Sequence, residues 1–271
     1  MLIAVSHLIC FLSLSIGSVY DLLTTEVPDQ IPAIAVLSGI LLHAAASYFN
    51  GSLMPLKWSL AAGAFFSIYG WGMYFAGMWG GADAFSVSAL GFAAPYGLAG
   101  FGLMHSVNLF VNMMLIGFGY TLLYAFYKAA RTGGVLFGTI EEIKSDRKQF
   151  LLEILAAGAF GTVAYFVFSA NYLYVLSALT MVVLYRFLKQ LEDDVMVSEV
   201  AVEDLEEGEV VVSGEVGQQV KGITQEEIDG LEVDEVTVKT GVRFVPVFPL
   251  ALLVTDLYGG GISFLMVLFS L

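Results

Sequence analysis

MLIAVSHLICFLSLSIGSVYDLLTTEVPD, residues 1–29, contains no Asp, Glu, Lys or Arg before Asp21. A helix needs about 20 apolar residues to cross roughly 30 Å of hydrocarbon, so 2–20 reads as a first membrane span. The run lacks the basic start and clear cleavage site of a secretory signal, so it reads as a retained span. Cys10, the single cysteine, has no partner for a disulfide framework and reads as a small packing residue. Asp21 continues the helical register of 13–20 and lies at the edge of the hydrocarbon. Pro28 and Pro32 follow closely and interrupt the chain.

Further windows of the same kind fall at 31–49, 58–79, 84–104, 107–127, 151–168, 172–188 and 245–271. The chain of 271 residues is 58% hydrophobic and 13% charged, which excludes an ordinary soluble domain. The expected fold class is an all-α polytopic membrane protein of about 6–8 transmembrane helices with a small soluble α+β cytoplasmic domain. Residues 1–189 would form the helix bundle, including a basic cytoplasmic loop at 128–150. An acidic cytoplasmic domain would occupy 190–242, and a closing transmembrane helix 243–271. Glu153 and Asp256 lie near the edges of their windows, and His43 and His105 at an interface or facing a polar cavity.

Orientation follows from the basic residues, which are retained on the cytoplasmic side. Lys128, Arg131, Lys144, Arg147 and Lys148 share one connection, and Arg186, Lys189, Lys221, Lys239 and Arg243 lie at or beyond the end of the seventh window. Lys57 alone is left for the other face. The N-terminus is therefore placed outside, with Asp21 and the Gly80-Gly81 junction inside, in a multi-pass protein of the cytoplasmic membrane.

The net charge of −14 is local to 190–242. There EVVVSGEVGQQV and LEVDEVTVKTGV alternate as strands do, and GITQEEIDGLEV carries Thr224 and Glu227 in a helix-capping pattern. Such acids commonly form a solvated face; an acidic surface also attracts a basic segment of a partner.

In WGGADAFSVSAL (79–90), Asp83 is the only charged residue between Trp58 and Tyr127. Three readings stand on the residues alone. Asp83 is a helix cap, a group in an ion or proton pathway of a transporter, or half of a carboxylate pair with Asp21 at the same membrane face. A pair sharing one proton activates water and polarises a carbonyl without metal or covalent intermediate. Gly80 and Gly81, lacking Cβ, would allow a tight junction and let a peptide backbone approach Asp83. Asp29 reads as a turn acid after Pro28, and Glu26 as a loop acid.

YDLLTTEVPD (20–29), GGAD (80–83) with ALGFAAP (89–95), and GITQEEIDGLEV with VKTGVRFVPVFPLALL resemble the archaeal prepilin and preflagellin peptidases, membrane aspartic proteases of the type IV prepilin peptidase family. The resemblance implies that Asp21 and Asp83 are catalytic and that Gly80, Gly81 and Ala82 shape the second motif. Glu26 and Asp29, in the first motif, would be substrate contacts. Ala82 replaces the second glycine of the stricter Gly-x-Gly-Asp form, the basic residues common after the first Asp are absent, and no zinc-type cysteine cluster is present. Presenilin-like proteases share Tyr-Asp and a late Pro-Ala-Leu, echoed by Tyr20-Asp21 and 249–252, but carry several spans before the Tyr-Asp. The implied substrates are pilin- or archaellin-like precursors with a short basic leader, drawn from the lipid bilayer. No metal, no cofactor and no nucleic-acid partner are expected.

Overall fold

The computed structural model describes residues 1–96, 103–168, 173–191, 197–202, 205, 210–211, 223–231, 233–239 and 241–260. The helices are α1 (Leu2–Thr24), α2 (Gln30–Phe49), α3 (Met54–Phe75), α4 (Gly81–Ala93), α5 (Leu103–Thr132), α6 (Val135–Ser145), α7 (Arg147–Phe168), α8 (Leu173–Leu191), α9 (Gln225–Asp229) and α10 (Val247–Tyr258). Strands β1 (Val197–Ala201), β2 (Val210–Val211) and β3 (Glu235–Lys239) complete the described elements. The protein is thus mostly helical. Among the described residues three helices are long and apolar enough to cross a membrane: α1, α2 and the stretch Met104–Arg131 of α5. The third window coincides with α3, whose Ser, Gly, Trp and Tyr residues dilute its apolarity.

The window at 84–104 departs from expectation. Its helix α4 ends at Ala93, before Pro95, and has 13 residues, about 20 Å of helix and too short to span alone; 97–102 lie outside the described residues. Instead α4 is a buried central element. A Cβ on Gly91 would meet Ala62 O of α3 at 2.6 Å, and one on Gly39 of α2 would meet Ala93 Cα at 2.7 Å. In lipid the solvent is as apolar as the side chains, so helices associate through such close small-residue packing. Of the closing window, α10 is a shorter apolar helix, and 261–271 lie outside the described residues.

The basic stretch at 128–150 is helical rather than an open loop. α5 runs on to Thr132, Gly133 and Gly134 break the chain with φ of 66° and 88°, and α6 and α7 follow. Left-handed torsions of this kind favour glycine. Val135 and Thr139, one turn apart, are the buried face of α6. Arg186 of α8 is buried: its Nε and Nη2 donate to Glu153 of α7 at 2.9 Å each, and Nη1 donates to Glu142 of α6 at 3.1 Å. The fork of the guanidinium matches two carboxylates at once, and ties the α7–α8 hairpin to α6.

In the acidic segment, β1, β3 and β2 form an antiparallel sheet in that order, with Val197 opposite Lys239 and Val210 opposite the same Lys239. Ile223, Ile228, Val236 and Val238 close a small core of their own. Thr224 caps α9 as its pattern predicts: its N–H donates to Glu227 Oε2 at 2.8 Å.

The frame of the bundle is antiparallel. At the start of α1, Ser6 Oγ donates to Ala93 O at the end of α4 (2.6 Å), and His7 Nδ1 lies 3.0 Å from Asp256 near the end of α10. At the end of α1, Asp21 receives the chain entering α10. α4 and α10 therefore both run opposite to α1, and the bundle has an aspartate end and a histidine end.

Candidate active site

The aspartate end is built where α1 stops. α1 extends through Asp21 to Thr24, and Thr25 closes it with φ 61°, its N–H donating to Asp21 O at 3.1 Å. Thr25 is the one non-glycine with positive φ among the described residues. A β-branched side chain resists that region at a cost of about 1–2 kcal/mol, so the turn beyond Asp21 is held by its surroundings. The Asp21 side chain is buried, and its Oδ2 accepts the Val245 N–H at 3.1 Å.

Asp83 is placed by the opposite device, the start of a helix. Gly80 is the N-cap of α4 and Asp83 stands in its first turn, where Oδ2 accepts the Gly80 N–H at 3.1 Å. A carboxylate there also meets the positive end of the helix dipole. The capping role read from the sequence is thus present, and it leaves the side chain buried beside Asp21, within reach of its charge. Each aspartate has one oxygen held by a backbone N–H; among the described residues neither Oδ1 has a hydrogen-bond partner.

The two N–H donors are brought together by aromatic packing. Trp79 immediately precedes Gly80, Phe244 immediately precedes Val245, and their rings lie 5.6 Å apart. Phe248 and Tyr69 pack edge-on against Trp79, at 5.9 Å and 5.3 Å. This wall flanks the two donors in the chain. Arg243 completes it: its Nη1 donates to Leu22 O at the end of α1, its own carbonyl accepts the Tyr120 hydroxyl at 2.7 Å, and its charge acts on Asp21.

The remaining motif residues divide. Gly80 is extended, with φ −76°, and a Cβ there would stand 3.6 Å from Asp83 Oδ2, an ordinary contact. Gly81 would bring a Cβ no nearer than 3.9 Å to Tyr74. Neither steric crowding nor backbone torsion therefore requires glycine at Gly80, and Gly81 has room for a Cβ. Ala82 is half-buried against the core. Glu26 and Asp29 are exposed in the α1–α2 connection, and among the described residues no hydrogen bond joins their side chains to either aspartate. Sequence reasoning gave no site role to Val245, Arg243, Phe244 or Trp79. Only Phe244 and Trp79, as aromatics flanking a charged or glycine motif, carried any signal.

Buried carboxylates, each with one oxygen held by a backbone N–H and the other unpartnered among the described residues, suit hydrolysis by activated water. Residues 8–126, which include Asp21, the GGAD motif and most of α1 to α5, match the model of the Type IV leader peptidase family. No curated protein and no solved structure matches the chain. The matched stretch, which encloses both Asp21 and Asp83, is similar to the type IV leader peptidases.

Proposed function

We propose that Asp21 and Asp83 are the catalytic pair of a leader peptidase that cuts pilin- or archaellin-like precursors at the cytoplasmic face of the membrane. The observation that carries the proposal is two buried carboxylates at opposite kinds of helix end, near enough for the charge of one to act on the other, each with one oxygen fixed and one free. One aspartate, ionised, takes a proton from water as the resulting hydroxide attacks the scissile carbonyl. The other, protonated, gives its proton to the carbonyl oxygen. When the C–N bond breaks, the leaving nitrogen receives the proton held by the first aspartate, and the second recovers its own. The pair returns to its starting state with one shared proton.

The bundle spans the membrane six to eight times in this reading, with the N-terminus outside. The precursor's apolar helix docks on the lipid-facing side. A groove of about 260 Å³ lined by Trp58, Ala61, Phe65, Val107 and Phe110, between α3 and α5, suits an apolar segment. The basic leader stays in the cytoplasm beside the acidic segment 190–242. Tagged precursor incubated with membranes holding Asp21→Asn or Asp83→Asn should remain uncut; full cleavage by either variant would sink the pair. Raising ionic strength should raise KM several-fold, because the attraction between exposed charges fades beyond a Debye length of about 8 Å. An unchanged KM would return the acids to a solvated face.

A further inference from the structure

Far from the aspartates, the other end of the bundle gathers a second set of ionisable side chains. His7 of α1, His105 of α5 and Asp256 of α10 each offer a ligand atom, and these atoms lie within 4.8 Å of one another. His7 precedes Asp21 by about 21 Å of helix, so this cluster is separate from the proteolytic site. We propose that His7, His105 and Asp256 form a binding site for a divalent transition-metal ion of the zinc class.

The hydrogen bonds of the cluster support a ligand set over a simple packing contact. His7 Nδ1 lies 3.0 Å from Asp256 Oδ2, and the His105 ring stacks at a tilt 5.7 Å from that of His7. A ring nitrogen committed in this way fixes the tautomer and leaves the other nitrogen's lone pair free, as in histidines that bind metals. His7 Nε2, His105 Nε2 and Asp256 Oδ1 are all buried without a partner among the described residues. His7 is 3% exposed, so bulk water does not satisfy its bare nitrogen. Buried polar atoms are otherwise almost always paired, and each of these three neighbouring residues carries one that is not. A cation held by the three residues would accept lone pairs from all of them.

The donor types select the ion. Two imidazoles and one carboxylate suit Zn²⁺ and its neighbours, whereas Mg²⁺ and Ca²⁺ prefer oxygen alone. Ligand atoms around tetrahedral zinc stand about 3.3 Å apart, given bonds of about 2.0–2.1 Å. One ligand atom from each of the three residues lies within 4.8 Å of the others, so side-chain rotations of the order of an ångström bring the set to that spacing. The third histidine of the chain, His43, is buried close enough for the charge of His7 to act on it, and its Nε2 is also unpartnered. A bound ion would pin the far end of α10 to α1 and α5. The same helix is preceded by Val245, whose N–H holds Asp21.

The test uses the full chain in detergent, without a histidine tag, and reads metal binding rather than proteolysis. Elemental analysis after Zn²⁺ loading and gel filtration should give one zinc per chain, and Zn²⁺ should raise Tm. Co²⁺ should give a ligand-field spectrum that Zn²⁺ erases. His7→Asn, His105→Asn and Asp256→Asn, each eluting as a folded species, should weaken zinc binding by at least about tenfold. Wild-type protein that gives no zinc stoichiometry and no erasable cobalt spectrum overturns the proposal, whatever the variants do. Folded variants that keep wild-type affinity overturn it too.

Discussion

The two ends of the bundle use the same helices for opposite kinds of polar chemistry. At one end α1 and the start of α10 present Asp21 to Val245 N–H, and at the other they present His7 to Asp256. The aspartate end holds its carboxylates by backbone donors and spares one oxygen on each. The histidine end joins side chain to side chain and leaves lone pairs bare. A backbone N–H orients a carboxylate without supplying a full counter-charge, so the acid remains able to trade a proton. A carboxylate beside an imidazole fixes a tautomer instead. The first arrangement suits acid–base chemistry, the second the binding of a cation.

Substitutions that separate the two ends sharpen this contrast. The largest effect should come from Asp83→Asn or Asp21→Asn, which removes one proton carrier. Precursor cleavage should fall by about 10²–10⁴-fold, while zinc binding at the far end stays unchanged. Loss of zinc binding in these variants would show that the ends are not independent.

A smaller loss is expected from Arg243→Ala. It removes the bond to Leu22 O and loosens the segment that delivers Val245 N–H. Misplacing one aspartate in this way should lower kcat by about 10–10²-fold with little change in KM. Arg243→Lys keeps the charge without the fork and should recover only part of the rate. A wild-type kcat in Arg243→Ala would mean that α10 does not position Asp21.

The smallest effect tests the frame between the ends. Gly91→Val on central α4 pushes a side chain onto Ala62 O and should cost about 1–3 kcal/mol, read as a lower Tm. Gly119→Ala on α5 is the control: nothing lies within 4 Å of its Cβ, so Tm should hold or rise. Equal responses at the two positions would deny α4 its role as the packed core.

Much of the aspartate end could be read along the chain, because it depends on local signals. The register of 13–20 carried α1 through Asp21, and two glycines before Asp83 marked a helix start. What could not be read is long-range. Val245 holds Asp21 through a backbone N–H that carries no side-chain identity, from the far end of the sequence. The histidine end was invisible for the same reason: His7 and Asp256 sit in separate apolar windows and His105 between two others, each resembling an isolated interfacial residue. The window at 84–104 misled because hydropathy does not separate a buried short helix from a spanning one. Arg186 was read only as a basic residue at the end of a span, and its carboxylate partners lie on two other helices.

The central claim is that Asp21 and Asp83 act as one unit, and a double-mutant cycle tests it most directly. Cleavage rates of a tagged precursor are compared for wild type, Asp21→Asn, Asp83→Asn and the double variant, each in membranes at equal expression. If the two share one catalytic task, the double variant is no slower than the slower single variant, since groups acting as a unit are grossly non-additive. Losses that multiply, or a single variant that cuts at the wild-type rate, would contradict the pair.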